Sequence, residues 1–242
     1  MKKGFTLAEV LITLAIIGVV ASLTITSVIS DYKKTEAVSR LKKAYSDISR
    51  ILYQAAYYSG VPLNADSLKT MNAREMFDRY WGPYLRNSKL CRMPVDCGYK
   101  NLISAARPWK MLNGSLFQYD PPSGGSLTDV KTDDNSRMLF LYGSGVVVFY
   151  PMAITATNDP NFTDDKRINI FLIDINGSKP PNTLGYDVFM FEIDKSSKVQ
   201  PFTGDDSERE KYRDDCIKGG QGLTCTQKII KDGWAIKGDY PW

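Results

Sequence analysis

The sequence of 242 residues contains no histidine. Histidine is the commonest general base in enzymes, and it completes Ser-His-Asp triads, Cys-His pairs and many zinc sites. Its absence removes most hydrolase and metalloenzyme mechanisms, so we expect a protein without enzymatic activity. The charge is also small, a net +4 with no long basic run, and electrostatics therefore do not indicate a nucleic-acid partner.

Charge is nearly missing from the first thirty residues as well. The sequence begins Met-Lys-Lys-Gly-Phe-Thr-Leu-Ala-Glu-Val, and in the almost uninterrupted apolar run from Phe5 to Ser30 Glu9 is the only charged residue. At ~1.5 Å per helical residue, residues 5–30 are long enough to span about 30 Å of hydrocarbon. A carboxylate inside a bilayer costs on the order of 2.5–3.5 kcal/mol on insertion scales, so its presence there indicates a function.

The string Gly-Phe-Thr-Leu-x-Glu after a short basic leader resembles the class III leader and N-terminal helix of type IV pilins and type II secretion pseudopilins. The resemblance implies that a prepilin peptidase cleaves between Gly4 and Phe5 and methylates the new N-terminal residue, Phe5. It also implies that Glu9 selects the register in which mature subunits assemble into a helical filament.

The same resemblance implies a location and a set of partners. The leader would be cytoplasmic, residues 5–30 would cross the bacterial inner membrane once, and the rest of the chain would lie outside the cytoplasm. The partners would be further copies of the chain, other pilin-like subunits, the prepilin peptidase and the inner-membrane assembly platform. The filament itself would stand in the periplasm or at the cell surface.

Two other interpretations of this segment remain open. Lys2 and Lys3 before an apolar stretch are typical of a secretory signal, and the small residue Ala21 would mark its cleavage site. The mature protein would then begin at Ser22 and be a secreted domain that binds calcium or a glycan. The other alternative is a plain membrane anchor. Glu9 disfavours the secretory signal, because a cleaved signal gains nothing from a buried carboxylate.

The apolar pattern continues beyond the membrane segment as one face of a helix. Apolar residues recur at spacings of three and four from Val38 to Ala55, with charged residues on the opposite face. We expect one helix from Phe5 to Tyr58, ~80 Å long. The chain then divides into a leader (1–4), a transmembrane or filament-core helix (5–30), an amphipathic continuation (31–60) and a globular domain (61–242).

Four later segments are rich in β-branched and aromatic residues, as is typical of strands: Met138 to Tyr142, Val146 to Tyr150, Ile168 to Ile175 and Tyr186 to Ile193. They predict a pilin-like α+β fold, in which the long helix packs on a four-stranded antiparallel sheet. A shorter apolar face precedes them and is interpreted as core: Leu68, Met71, Met76, Phe77, Tyr80, Trp81 and Tyr84.

The four cysteines form two local pairs, Cys91 with Cys97 and Cys216 with Cys225. An even number in an exported chain predicts disulfides, although four cysteines allow three connectivities, and local pairing is the simplest. A zinc site made of four thiolates is the alternative, but neither pair has the C-x₂-C spacing. The resemblance favours disulfides too, since pilins often fasten surface loops in this way.

The loop between the last two predicted strands carries a cluster of oxygen ligands from Asp174, Asn176 and Asp187. It resembles a block found in many pilin-like proteins. Backbone carbonyls and water would have to complete the six to eight oxygens that calcium takes, and a structural calcium ion is one hypothesis. The favoured alternative is a turn, in which the Asp174 and Asn176 side chains accept hydrogen bonds from backbone amides and Asp187 caps the next strand.

Overall fold

A computed structural model describes residues 4–61, 63, 73–91, 93–100, 108–117, 138–143, 145–150, 169–194, 196–203 and 215–242. The helices are α1 (Leu7–Ser59), α2 (Ala73–Met76) and α3 (Cys225–Lys231). A π-helical turn (Phe77–Trp81) and a 3₁₀ turn (Gly82–Tyr84) lie between α2 and the first strand. A second 3₁₀ turn (Pro94–Cys97) follows the first strand. The strands are β1 (Lys89–Cys91), β2 (Met138–Tyr142), β3 (Gly145–Tyr150), β4 (Asn169–Asp174), β5 (Val188–Ile193) and β6 (Val199–Pro201).

The helix α1 runs without interruption for 53 residues. It begins after Thr6, whose side chain caps the first turn, and it ends at Gly60, which adopts the left-handed φ of 65° that glycine tolerates best. The predicted helix, Phe5 to Tyr58, is confirmed to within two residues at each end. The helix continues through Gly18, so this weak helix former does not break it in the single chain.

The six strands form one antiparallel sheet in the order β1-β2-β3-β4-β5-β6. Each strand pairs with its neighbours in sequence, so the sheet is a meander, with Phe171 opposite Phe191 near its centre. The prediction of an antiparallel sheet beside a long helix is confirmed, but its strand number was wrong. The additional strands β1 and β6 have only three residues each, too few to show an alternating pattern in the sequence.

The second half of α1 covers one face of this sheet. Its buried residues meet aromatic side chains from the central strands, among them Phe140, Phe171 and Phe191. The helix residues that are buried are Ala37, Val38, Leu41, Ala44, Ile48, Ile51, Leu52 and Ala55. The amphipathic segment therefore has the role that its periodicity predicts.

The opposite face of the sheet is covered too. A second buried cluster includes Tyr99, Trp109 and Phe117 from the loop layer, packed on strand residues such as Leu172 and Met190. All six residues of β5 are buried as a result. The body thus has three layers: helix, sheet and a loop layer.

The apolar segment before the sheet also belongs to the core. Met76, Phe77, Tyr80 and Trp81 are buried and join the cluster under α1, while Tyr84 packs at its edge. The interpretation of this face as core is confirmed for these residues. Leu68 and Met71, which were assigned to the same face, lie outside the described residues.

Candidate functional site

The described part of the chain leaves the first half of α1 uncovered. All fourteen large apolar side chains from Phe5 to Ile29 are exposed, with exposed fractions between 42% and 89%. This part of the helix is long and apolar enough to cross a membrane, and its most apolar window has no buried residue. A continuous apolar surface of this size is not stable in water, so it indicates contact with lipid or with other protein chains.

Glu9 lies in this bare segment and caps its own helix. The backbone N and the Oγ1 of Thr6 both donate to Oε2 of Glu9, each at 2.8 Å. The backbone N of Glu9 donates in return to Oγ1 of Thr6 at 3.3 Å. This reciprocal pair is a capping box, which satisfies amide groups that a helix start leaves without intrahelical partners. Both hydrogen bonds to the carboxylate fall on Oε2.

The residues predicted for processing lie just before the helix. Gly4, Phe5 and Thr6 are exposed and are not helical. The side chain of Phe5 is 89% exposed. The bond between Gly4 and Phe5 is therefore in accessible, non-helical backbone.

The 174–187 loop is organised around two buried carboxylates, of which Asp174 is the more enclosed. Asp174 ends β4 and has no exposed surface. Its Oδ2 accepts hydrogen bonds from the Tyr99 hydroxyl at 2.6 Å and from Nε1 of Trp109 at 3.1 Å. Its Oδ1 accepts the backbone N of Asn176 at 3.3 Å, which is the pattern of an Asx turn.

Asp187 closes the other end of the loop and is 4% exposed. Its Oδ1 accepts the backbone N of Thr183 at 2.7 Å. Its Oδ2 accepts the backbone N of Asn182 at 2.9 Å and Nδ2 of Asn176 at 3.1 Å. The two carboxylates therefore hold the loop through donors of the protein itself.

Burial changes the protonation of this pair. It raises the pKa of Asp174 to about 8, and the neighbouring charge of Asp187 acts in the same direction. The pKa of Asp187 is also raised by burial, against the hydrogen bonds from Thr183 and Asn182. Burial raises the pKa of Tyr99 as well, so its hydroxyl stays a donor. Desolvation by burial is the largest cause of the shift for all three groups.

These contacts do not fit a calcium site. All four carboxylate oxygens of Asp174 and Asp187 already accept N–H or O–H donors, and the Oδ2 atom of each accepts two. Among the described residues, the Oδ1 of Asn176 is buried without a partner, so the prediction that this side chain accepts a backbone amide is wrong. One amide oxygen is also far from the six to eight that calcium takes. In the described part of the chain, no group of three or more acidic, cysteine or histidine residues is suited to a metal.

The C-terminal segment forms a hydrogen bond with the 174–187 loop. The hydroxyl of Tyr240 donates to the carbonyl oxygen of Gly185 at 2.6 Å. Gly185 has a φ of 82°, and a Cβ there would stand 2.9 Å from Sγ of Cys225. Both the backbone angle and the space therefore require glycine at this position.

Residues 1–25 match the family model of the prokaryotic N-terminal methylation motif. The chain carries a prepilin-type processing signal. This is the cleavage signal of type IV pilins and pseudopilins, and it fits a membrane-anchored, prepilin-processed subunit. No curated protein and no solved structure gives a significant match to the chain.

Both cysteine pairs of the chain form disulfides. Cys91 is joined to Cys97, and Cys216 is joined to Cys225. These are the local pairs favoured from the sequence. The first disulfide lies in the loop layer, and the second packs against Gly185 and the helix side of the sheet.

Sequence reasoning missed three residues of these sites. Thr6 could have been found, because Thr6 and Glu9 have the Ser/Thr-x-x-Glu spacing of a capping box. Tyr99 and Trp109, the donors to Asp174, carry no such signal. They lie 75 and 65 positions before their acceptor, in a region without a readable pattern.

Proposed function

We propose that this chain is a structural subunit, a pilin or pseudopilin, that is cleaved after Gly4 and assembles into a type IV pilus-like or type II secretion filament. The observation that carries the proposal is the bare apolar half of α1 with Glu9 inside it. The match of residues 1–25 to the methylation motif supports the processing step. The proposed activity is assembly and not catalysis.

The bare segment would have two partners in succession. Before assembly it would lie in the inner membrane, where lipid covers its apolar surface on all sides. In the filament the same surface would contact the helices of other subunits. Since its apolar residues surround the helix, neighbours on several sides are required, as in the core of a helical filament.

Glu9 gives this assembly its register. Cleavage would leave a cationic amine on Phe5, and neither that amine nor a carboxylate is stable alone in an apolar core. Oε2 of Glu9 is held by Thr6, whereas among the described residues Oε1 receives no hydrogen bond. We propose that Oε1 accepts a hydrogen bond from the Phe5 amine of an adjacent subunit. The two charges then pair at only one axial offset between neighbouring helices.

The test is a sheared-filament assay beside a membrane fraction. Glu9→Leu and Glu9→Gln remove the charge, so both variants should be cleaved and inserted but should assemble poorly. Asp31→Asn is the matched control, because it removes an exposed carboxylate from the same helix and should leave assembly unchanged. Gly4→Val should instead leave uncut precursor in the membrane. Normal assembly of processed Glu9→Leu would show the register hypothesis to be wrong.

Sequencing of the mature N-terminus tests the processing step by itself. An N-methylated Phe5 is the expected result. A start at Ser22 would instead indicate the secreted calcium- or glycan-binding alternative, and it would overturn the proposal of a filament subunit.

A further inference from the structure

A groove of about 510 Å³ lies between α1 and the 174–187 loop. Its apolar lining includes Pro181, Tyr186 and Trp242, and its rim carries the cations Lys33, Arg40 and Lys179. We call this feature the basal groove, because the α1 residues that line it lie where the packed half of the helix begins.

The position of the basal groove along α1 sets its distance from the membrane. Lys33 follows the end of the apolar run at Ser30 by three residues, or ~4.5 Å at ~1.5 Å per residue. Arg40 lies ~15 Å from the same point. The polar layer on each side of a bilayer is about 5–7 Å thick. If residues 5–30 span the membrane, as the proposed function requires, the near end of the groove lies among the lipid headgroups.

Part of the positive charge in the groove has no ion-pair partner among the described residues. Arg40 pairs with Glu36 at 2.7 Å. Over the ranges that the structure describes, neither Lys33 nor Lys179 forms an ion pair. The carboxylate of Asp187 also lines the groove, but both of its oxygens are held by N–H donors. Two ammonium groups are thus available to an anion.

The apolar lining matches the part of a lipid that adjoins its phosphate. The rings of Tyr186 and Trp242 contact each other with centroids 5.3 Å apart. Tyrosine and tryptophan are enriched at membrane interfaces, because each has an apolar body and a polar tip. A phosphate held by Lys33 and Lys179 would place its glycerol and upper acyl chain against these rings.

We propose that the basal groove binds the headgroup of an anionic phospholipid from the leaflet in which α1 leaves the membrane. The lysines bind the phosphate, and the Tyr186 and Trp242 rings cover the adjoining apolar part. Such a contact would hold the globular body against the bilayer before the subunit leaves for the filament.

The first test is intact-mass measurement of the full chain in mild detergent, with phosphatidylglycerol or phosphatidylcholine of equal acyl chains. We expect about tenfold or stronger preference for phosphatidylglycerol, lost in the double variant Lys33→Gln with Lys179→Gln. The matched control is Arg79→Gln with Lys198→Gln, which removes two exposed cations near the other end of α1. Equal binding of both lipids by the unaltered chain, or equal loss in the control, would overturn the proposal.

Two further arms separate the possible occupants. Inorganic phosphate at millimolar concentration should not displace the lipid, because it lacks the parts that the aromatic rings contact; displacement would assign the site to free phosphate. In cell membranes, Trp242→p-benzoylphenylalanine should form a photoadduct of lipid mass. An adduct with a second copy of the chain would assign the groove to a subunit contact and overturn the lipid assignment.

The mature N-terminus and the membrane fraction are measured for each variant. A chain that begins at Phe5, stays in the membrane and shows no lipid preference refutes the groove alone. A chain that begins at Ser22 refutes the proposed function first, and with it the position on which the groove depends.

Discussion

The two halves of α1 share one continuous helix but differ completely in what surrounds them. From Phe5 to Ile29 every large apolar side chain is exposed, whereas from Ala37 to Ala55 eight apolar residues are buried. The packed half has a one-sided apolar stripe because its own sheet covers one face only. The bare half is apolar all round, which indicates partners on every side.

This difference separates two kinds of information in one helix. In the packed half, the apolar residues contact other residues of the same chain, and those contacts are present in the structure. In the bare half, the apolar residues are suited to contact lipid or other chains. Substitutions in the packed half should therefore change folding, and substitutions in the bare half should change insertion and assembly.

The same substitution in each half gives the sharpest test of this division. Ile48 has no exposed surface, whereas Ile16 is 59% exposed. Ile48→Ala should destabilise the globular body by about 2–5 kcal/mol, since it leaves a cavity under the sheet. Ile16→Ala should leave the unfolding midpoint unchanged. Denaturant unfolding of the full chain in detergent measures both, and an equal loss from the two variants would contradict the comparison.

The Cys216–Cys225 disulfide lies in the C-terminal segment that packs against the second half of α1. Trp234, from the segment after α3, packs against Tyr45 of α1, with ring centroids 5.5 Å apart. Replacing both Cys216 and Cys225 by alanine should cost about 2–3 kcal/mol of unfolding free energy, by the chain-entropy estimate for a short loop. Peptide mapping without reduction checks the pairing itself. Crossed pairs or free thiols in the unaltered chain would contradict the structure.

The sequence predicted the elements with long and regular patterns. The helix α1 comes from residues that repeat with the helical period over several turns. The four central strands come from runs of five or more residues that are rich in β-branched and aromatic types. The strands β1 and β6 were missed because three residues cannot show a period. The loop layer on the second face of the sheet was missed for a different reason: Trp109 and Phe117 are lone aromatics whose partners are distant in sequence.

The candidate sites show the same limit. Gly4, Phe5 and Glu9 form a local string, and the family match covers that string. Asp174 and Asp187 were also recognised, but the environment of Asp174 depends on Tyr99 and Trp109. Local spacing identifies candidate oxygen ligands. It does not show which donors from other elements already form hydrogen bonds to those oxygens.

The loop where the two halves of α1 meet should make the globular body sensitive to pH. The folded-state pKa of Asp174 is raised from the ordinary 3.8 to about 8, so the folded state holds a proton that the unfolded state releases between these values. Its contribution to stability is therefore full below about pH 4 and is lost as the pH rises toward 8. Asp187 acts in the same direction.

Thermal unfolding of the full chain in detergent at about pH 5 to pH 8.5 measures this effect. The melting temperature should fall as the pH rises, since the titration of Asp174 lies in this range. Asp174→Asn should flatten the dependence, although it also lowers stability at every pH by leaving a buried donor without its acceptor. Asp78→Asn, at an exposed carboxylate, is the control. An unchanged slope in Asp174→Asn would assign the titration to another group.

Calcium should have the smallest effect of all, at the same loop. Binding to the folded state alone raises the melting temperature once the ligand concentration exceeds the dissociation constant. A calcium ion on the Oδ2 of Asp174 would have to displace Tyr99 or Trp109, and the displaced donor would then be buried without an acceptor. We therefore expect equal melting temperatures in millimolar calcium and in chelator. A rise in calcium that disappears in Asp187→Ala would show that the loop rearranges into a metal site, and that its hydrogen bonds in the single chain are not its final state.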